Sequence, residues 1–180
     1  MGAQKRPARV KLVFGILAKD KKLFDCAEEF FVKEFGQIDY RSPCLLFNYT
    51  DYYKEEMGHP LKRRFISFEK LIPPQGLPGI KLKTNLIEKK TSQKQKRLIN
   101  IDPGYINDSK FILATTKDYF HRIYLGKGMY AEVALYWKKD GFQAFDWTYP
   151  DYRTKEYRDI LNKIREGYVK ERKTFHNQGG

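Results

Sequence analysis

The run Val10-Lys11-Leu12-Val13-Phe14-Gly15-Ile16-Leu17 decides how this 180-residue chain folds. Val10, Leu12, Phe14 and Ile16 fall on one side, Val13 and Leu17 on the other, which is the pattern of a strand buried on at least one face. Apolar residues on both sides place that strand centrally in its sheet.

Downstream, Asp20 can cap a helix in which Leu23, Ala27, Phe30, Phe31 and Phe35 recur at helical spacing, until Gly36 ends the run. The aromatic stripe reads as core. Ser42 to Tyr53 is expected as a second strand, apolar through Cys44-Leu45-Leu46-Phe47 and then polar and aromatic. After a break at Met57-Gly58-His59-Pro60, Leu61 to Leu71 reads as a third strand that buries Phe65, Ile66 and Phe68. Pro73-Pro74-Gln75-Gly76 is a turn. Pro78 to Thr91 follows as a helix, and Leu98 to Ile101 as a fourth strand closed by the turn signature Asp102-Pro103-Gly104. The order β-α-β-β-α-β predicts an α+β fold, a ferredoxin-like layer with both helices on one face of the sheet.

The remaining third is richer in strands. Phe111 to Thr115 is a short strand-like or helix-like run, and His121–Leu125 and Tyr130–Trp137 form a hairpin about Gly126-Lys127-Gly128. Lys139-Asp140-Gly141 turns into Phe142–Trp147. A final helix carries Tyr157, Ile160, Leu161, Ile164 and Tyr168 on one stripe and Lys and Arg on its other face. The chain is expected to be one domain, residues 1–180, with residues 1–8 and 174–180 flexible.

The formal net charge is +13. It favours a polyanionic partner, whether a nucleotide, RNA or another phosphate-bearing anion, against the plainer reading of a lysine-rich solvated surface. No apolar run is long enough to span a bilayer, and the basic N-terminus lacks the apolar core of a signal peptide, so a cytoplasmic location is expected. Cys26 and Cys44 form no metal motif or disulfide framework and read as free buried thiols. With three histidines, one of them His176 near the C-terminus, an all-histidine metal site has no support. There is no P-loop, no H-E-x-x-H and no G-x-S-x-G motif. No pattern specifies a cofactor, a metal or an oligomeric state.

Proton-handling and anion-binding groups concentrate between Ile101 and Tyr152: Asp102, Lys117, Asp118, His121, Arg122 and Glu132. Glu132 is the only charge between Met129 and Trp137, and a carboxylate in an apolar strand is costly to bury unpaired. Its expected partner is Arg122 or Lys117. The pair would either fix the hairpin's register or leave a cation to hold an anion while His121 or Glu132 moves a proton. Strand alternation sets His121 and Arg122 on opposite faces unless a bulge or strand end intervenes. Asp102 at its turn reads as a cap or, functionally, as a base at a sheet edge. Tyr105, Tyr119, Tyr124, Tyr130, Trp147, Tyr149 and Tyr152, interleaved with Arg122 and Arg153, could stack on bases or pack under the last helix.

Six blocks resemble a known family: Val10–Leu17, Thr50–Gly58, Leu61–Phe68, Asn100–Tyr105, Lys117–Gly126 and Trp147–Arg153. Together they resemble the bacterial domain of unknown function 4416 across nearly the whole chain. The resemblance implies no assigned activity. It directs attention to Thr50, Asp51, Tyr52, Arg63, Arg64, Asp102, Tyr105, Lys117, Asp118, His121, Arg122 and Glu132.

Three functional expectations follow. In the first, Arg63, Arg64, Lys117 and Arg122 neutralise the phosphates of a nucleotide or RNA while Tyr105 and Tyr124 stack. In the second, His121 is the general acid/base of an enzyme, oriented by Asp118, Asp102 or Glu132, on an anionic small molecule. In the third, the chain is a non-catalytic interaction or scaffold protein.

Overall fold

The computed structural model describes residues 2–177, with side chains through Lys173. Residues 2–9 are exposed and lie outside helices and strands; of the tail expected to be flexible, residues 174–177 continue the last helix and residues 178–180 lie outside those described. The elements are β1 (Lys11–Ala18), α1 (Lys21–Phe35), β2 (Ile38–Arg41), β3 (Leu45–Phe47), α2 (Lys54–Met57), β4 (Leu61–Phe68), α3 (Leu77–Lys90), β5 (Ile99–Ile106), β6 (Lys110–Thr115), β7 (Arg122–Gly126), β8 (Met129–Lys138), β9 (Gly141–Ala144) and α4 (Lys155–Asn177). This is a mixed α and β fold, with four helices among the described residues. All nine strands join one sheet in the order β2-β4-β1-β5-β6-β8-β7, with β3 also on β4 and β9 also on β8. Every ladder is antiparallel.

The alternation in β1 organises two cores. Leu12, Phe14 and Ile16 face α1 and α3, packing with Phe24, Phe31, Phe68 and Ile87. Phe14 meets Phe31, Phe35 and Phe68 edge-on at centroid distances of 5.1, 5.1 and 4.9 Å. Val13 faces the other way, into a core with Phe65, Phe111, Tyr152 and the α4 residues Tyr157, Ile160, Leu161 and Ile164. All eight residues of β1 are buried, as a central strand requires. Lys11 is tolerated there because its ammonium meets Asp39 and Glu171 at 2.6 Å each. Asp20 caps α1 by accepting from the Leu23 amide at 3.1 Å, and Gly36 closes it at φ 97°.

Four expectations need correction. Ser42–Tyr53 is not one strand: β2 starts earlier at Ile38, Pro43 interrupts the pairing, and only Leu45–Phe47 rejoins β4 before the turn into α2. Asp102-Pro103-Gly104 is not a turn: β5 runs straight through it to Ile106, paired with β1 throughout. The two cysteines are exposed, Cys26 on the outer face of α1 and Cys44 just after Pro43. Finally, β4 stops at Phe68 and β9 at Ala144, short of Leu71 and Trp147.

Candidate functional site

Pro103 and Gly104 set the local geometry. Gly104 is where β6 begins to pair, through the register Gly104↔Leu113 to Ile106↔Phe111. Pro103 has no amide to donate, so it cannot extend that ladder. Between Ile99 and Pro103, β5 is therefore paired with β1 alone, and β5 and β6 part to open a cleft. The backbone groups left bare are taken by α3. The Ile101 amide donates to Glu88 Oε1, and Lys81 Nζ donates to the Ile101 carbonyl at 2.9 Å. Lys81, Thr84 and Glu88 lie on the buried stripe that begins at Leu77, so two ionic side chains replace a strand partner.

The cleft has a volume of about 660 Å³, within the span of small-molecule sites. Arg63, Asn100 and Asp102 form one wall, and Leu113, Thr115, Thr116 and Glu132 the other. Lys81, Asn85 and Glu88 line it from α3, while Tyr49, Tyr52 and Tyr53 and the segment Tyr149–Tyr152 cover it. Lys117 stands at the mouth, its ammonium 4.8 Å from the Tyr52 ring centroid.

Gly15 makes room for the charge at the centre. A Cβ there would come within 3.0 Å of Arg63 Nη1 and 2.8 Å of the Tyr152 hydroxyl. Arg63, only 2% exposed, bridges Asp102 at 2.9 Å and Asp151 at 3.3 Å. Burial alone would raise the Asp102 carboxyl, but Arg63 beside it and Lys81 outweigh burial, leaving it below the ordinary value. Asp151 and Glu88 go the other way, raised by burial against the pull of Arg63 and of Lys81 respectively. Environments that split carboxyl pKa values in this way are common at functional sites.

The lowered Asp102 value has a testable sign. Its ionised form stabilises the fold, so its contribution is complete above an unfolded pKa of about 3.9 and is lost as pH falls through the lower folded value. Asp102→Asn is expected to flatten the loss of stability below about pH 4, at the cost of stability near neutrality. Urea unfolding across that range checks this. An acid limb identical to wild type would assign it to other carboxylates.

Glu132 is paired as expected, with Arg122 rather than Lys117. Its Oε2 accepts from Arg122 Nε at 2.8 Å and lies 3.2 Å from His121 Nε2. Arg122 also donates to the Lys117 carbonyl at 3.0 Å and the Tyr149 hydroxyl at 2.8 Å. His121 precedes β7, so strand alternation does not separate it from Arg122; the strand end intervenes, and both reach one oxygen. His121 stacks on Trp147 at 5.4 Å, and Trp147 donates to the Val133 carbonyl, which anchors the pair to β8.

The structure thus brings Arg63, Asp102, Lys117 and Glu132 to one cleft, with Arg122 and His121 behind Glu132 rather than in the lining. Arg64, Tyr105, Tyr124 and Asp118 do not join them. Arg64 points to the other face of the sheet, bonding Glu28 at 2.8 Å over the Phe24 ring. Tyr105 packs against Leu77 and Ile112. Tyr124 lies exposed on Tyr130, and Asp118 is exposed outside the lining. Sequence reasoning missed Lys81, Glu88, Arg97, Asn100 and Asp151. A signal existed for the first two, because they fall at the helical positions where Leu77 and Ile87 demand apolar neighbours.

Among the described residues, no cluster of three or more His, Cys, Asp or Glu side chains could hold a metal ion. No helix among them is long and apolar enough to cross a membrane. The molecule is thus a mixed α and β protein whose antiparallel sheet opens into a cleft lined by tyrosines and paired charges. The profile described as Domain of unknown function (DUF4416) matches residues 8–168, and the chain belongs to that family. Comparison with curated proteins and with solved structures gave no match.

Proposed function

We propose that the cleft binds a nucleotide, its phosphate at the mouth and its nucleoside among the tyrosines. The carrying observation is a cleft of about 660 Å³ whose inner arginines are already matched by carboxylates and whose Lys81 is held by the Ile101 carbonyl, while Lys117 at the mouth has no carboxylate partner among the described residues. Arg63 is shared by Asp102 and Asp151, and Arg97 pairs with Glu56 at 2.6 Å. At the mouth, Lys117 stands beside Thr115 and Thr116, whose hydroxyls can donate to a phosphate. Inside, Tyr49, Tyr52, Tyr53 and Tyr149 offer flat apolar surface, and the carboxylates accept from hydroxyl or amino groups. A mononucleotide suits this enclosure better than RNA, because Arg64, Tyr105 and Tyr124 lie apart from it. On this reading the part from β1 to β5 is a ferredoxin-like layer, supported by its order β2-β4-β1-β5 with α1 and α3 on one face. The cleft marks the seam with the added strands, in a single cytoplasmic domain. For catalysis, the contact between His121 and Glu132 favours Glu132 as the group that meets a substrate, with His121 as its positioning residue.

Isothermal titration with adenine, guanine, cytosine and uracil nucleotides, their nucleosides and a short RNA tests this. Nucleotides are expected to bind, their nucleosides more weakly, and added salt to weaken the phosphate contribution. Lys117→Ala is expected to weaken nucleotide binding about tenfold without changing nucleoside binding. Absence of nucleotide binding at low salt overturns the proposal, and binding of RNA alone replaces it.

A further inference from the structure

Glu132 has an oxygen that the fold leaves idle. Its side chain is 1% exposed, yet it lines the cleft. Oε2 is held by Arg122 and His121, whereas Oε1 is buried without a hydrogen-bond partner. Elsewhere in the lining the carboxylates are engaged. Asp102 accepts from Asn100 on Oδ1 and from Arg63 on Oδ2, Glu88 accepts from the Ile101 amide, and Asp151 accepts from Arg63.

A buried polar atom with no partner is costly. The charge of Glu132 is matched by Arg122, so Oε1 lacks a donor rather than a counter-ion. Among the described residues no protein group supplies one, and Arg122 and His121 both hold the other oxygen, Oε2, in place. A phosphate oxygen cannot fill the place, since both atoms would be acceptors.

We propose that Glu132 Oε1 reads a hydrogen-bond donor, a hydroxyl or amino group, on the nucleoside part of the ligand. This rests on the nucleotide reading above and adds orientation to it: the nucleoside points inward and the phosphate stays at Lys117. Glu132 is then the residue that selects among ligands, and a ligand bearing only acceptors at that point is rejected.

The test is titration of wild-type protein with each nucleotide it binds and with analogues lacking one donor: 2′-deoxy, 3′-deoxy and deaminated base. Loss of the donor that Glu132 reads is expected to weaken binding about 10- to 100-fold, while the other removals change it less. Glu132→Gln is expected to shrink that ratio several-fold, whereas a merely structural role would weaken parent and analogue alike. Should Glu132→Gln not fold, Glu132→Leu with Arg122→Met removes the ion pair as a unit and serves in its place. In that pair the ratio is expected to fall to about twofold. Nucleotide binding indifferent to every donor removal, or a ratio preserved in the variants, overturns this inference alone. Failure of the wild type to bind any nucleotide overturns it together with the nucleotide reading.

Discussion

Arg63→Met is expected to lower the unfolding free energy by about 3 kcal/mol, because it leaves the buried Asp151 and the half-buried Asp102 without their shared cation. Methionine matches the arginine side chain as far as Nε, so the packing of the stem is kept, while the guanidinium, whose carbon lies 5.3, 6.0 and 5.8 Å from the ring centroids of Phe47, Phe65 and Tyr152, is lost. What disappears is the charge between Asp102 and Asp151. Both carboxyls would then rise, so the deficit is expected to narrow as acidification neutralises them. Adding Asp102→Asn and Asp151→Asn to Arg63→Met should recover part of the loss at neutral pH. Urea denaturation measures all three proteins. A loss below about 1 kcal/mol, the range of exposed pairs, would show that the cluster is not a buried ion network.

Gly104→Ala is expected to cost about 3 kcal/mol or more, at or beyond the upper end of ordinary overpacking. An added Cβ would fall within the van der Waals envelope of the Ile112 carbonyl oxygen, with the Phe111 ring at 3.0 Å and Leu113 at 3.1 Å. A flexible side-chain tip could yield, but Ile112 belongs to the β5–β6 register and can move only by breaking it. Gly79→Ala in α3 is the control: nothing lies within 4 Å of its Cβ, and replacing a helical glycine there should be neutral or stabilising by about 0.5–1 kcal/mol. If thermal unfolding finds the two substitutions equivalent, close approach of the strands is not what glycine serves at position 104.

Much of the fold is legible because β1 and α1 repeat their apolar residues at the periods of strand and helix. The aromatic stripe of α1 and the stripe Tyr157–Tyr168 of α4 are core as their spacing implies. Asp102-Pro103-Gly104 misleads for a physical reason. Proline and glycine signal a turn when read locally, yet here each answers to a neighbouring strand. Pro103 lies where one ladder is absent, and Gly104 where β6 comes closest. The cleft is legible only in part: Arg63 and Asp102 stand out as charges, but nothing local says that they meet. Glu132 stands out in its apolar strand and Arg122 is its natural partner, but the opposite wall depends on which residues of distant strands share a face with Gly15. No local pattern carries that. Arg63 and Arg64 look equivalent in sequence; the β4 register sends one to the cleft and the other to α1.

The grip of α3 on Ile101 bears on how such a cleft can diversify. A sheet that stayed zipped between β5 and β6 would hold no cavity, and its spacing would be locked by main-chain bonds that no substitution can retune. Here Lys81 and Glu88 act as a side-chain wedge in the seam. The width of the cleft is therefore written into one face of one helix. Changes on that face can resize or reshape the cavity while leaving every remaining ladder, and the cores on both sides of the sheet, intact.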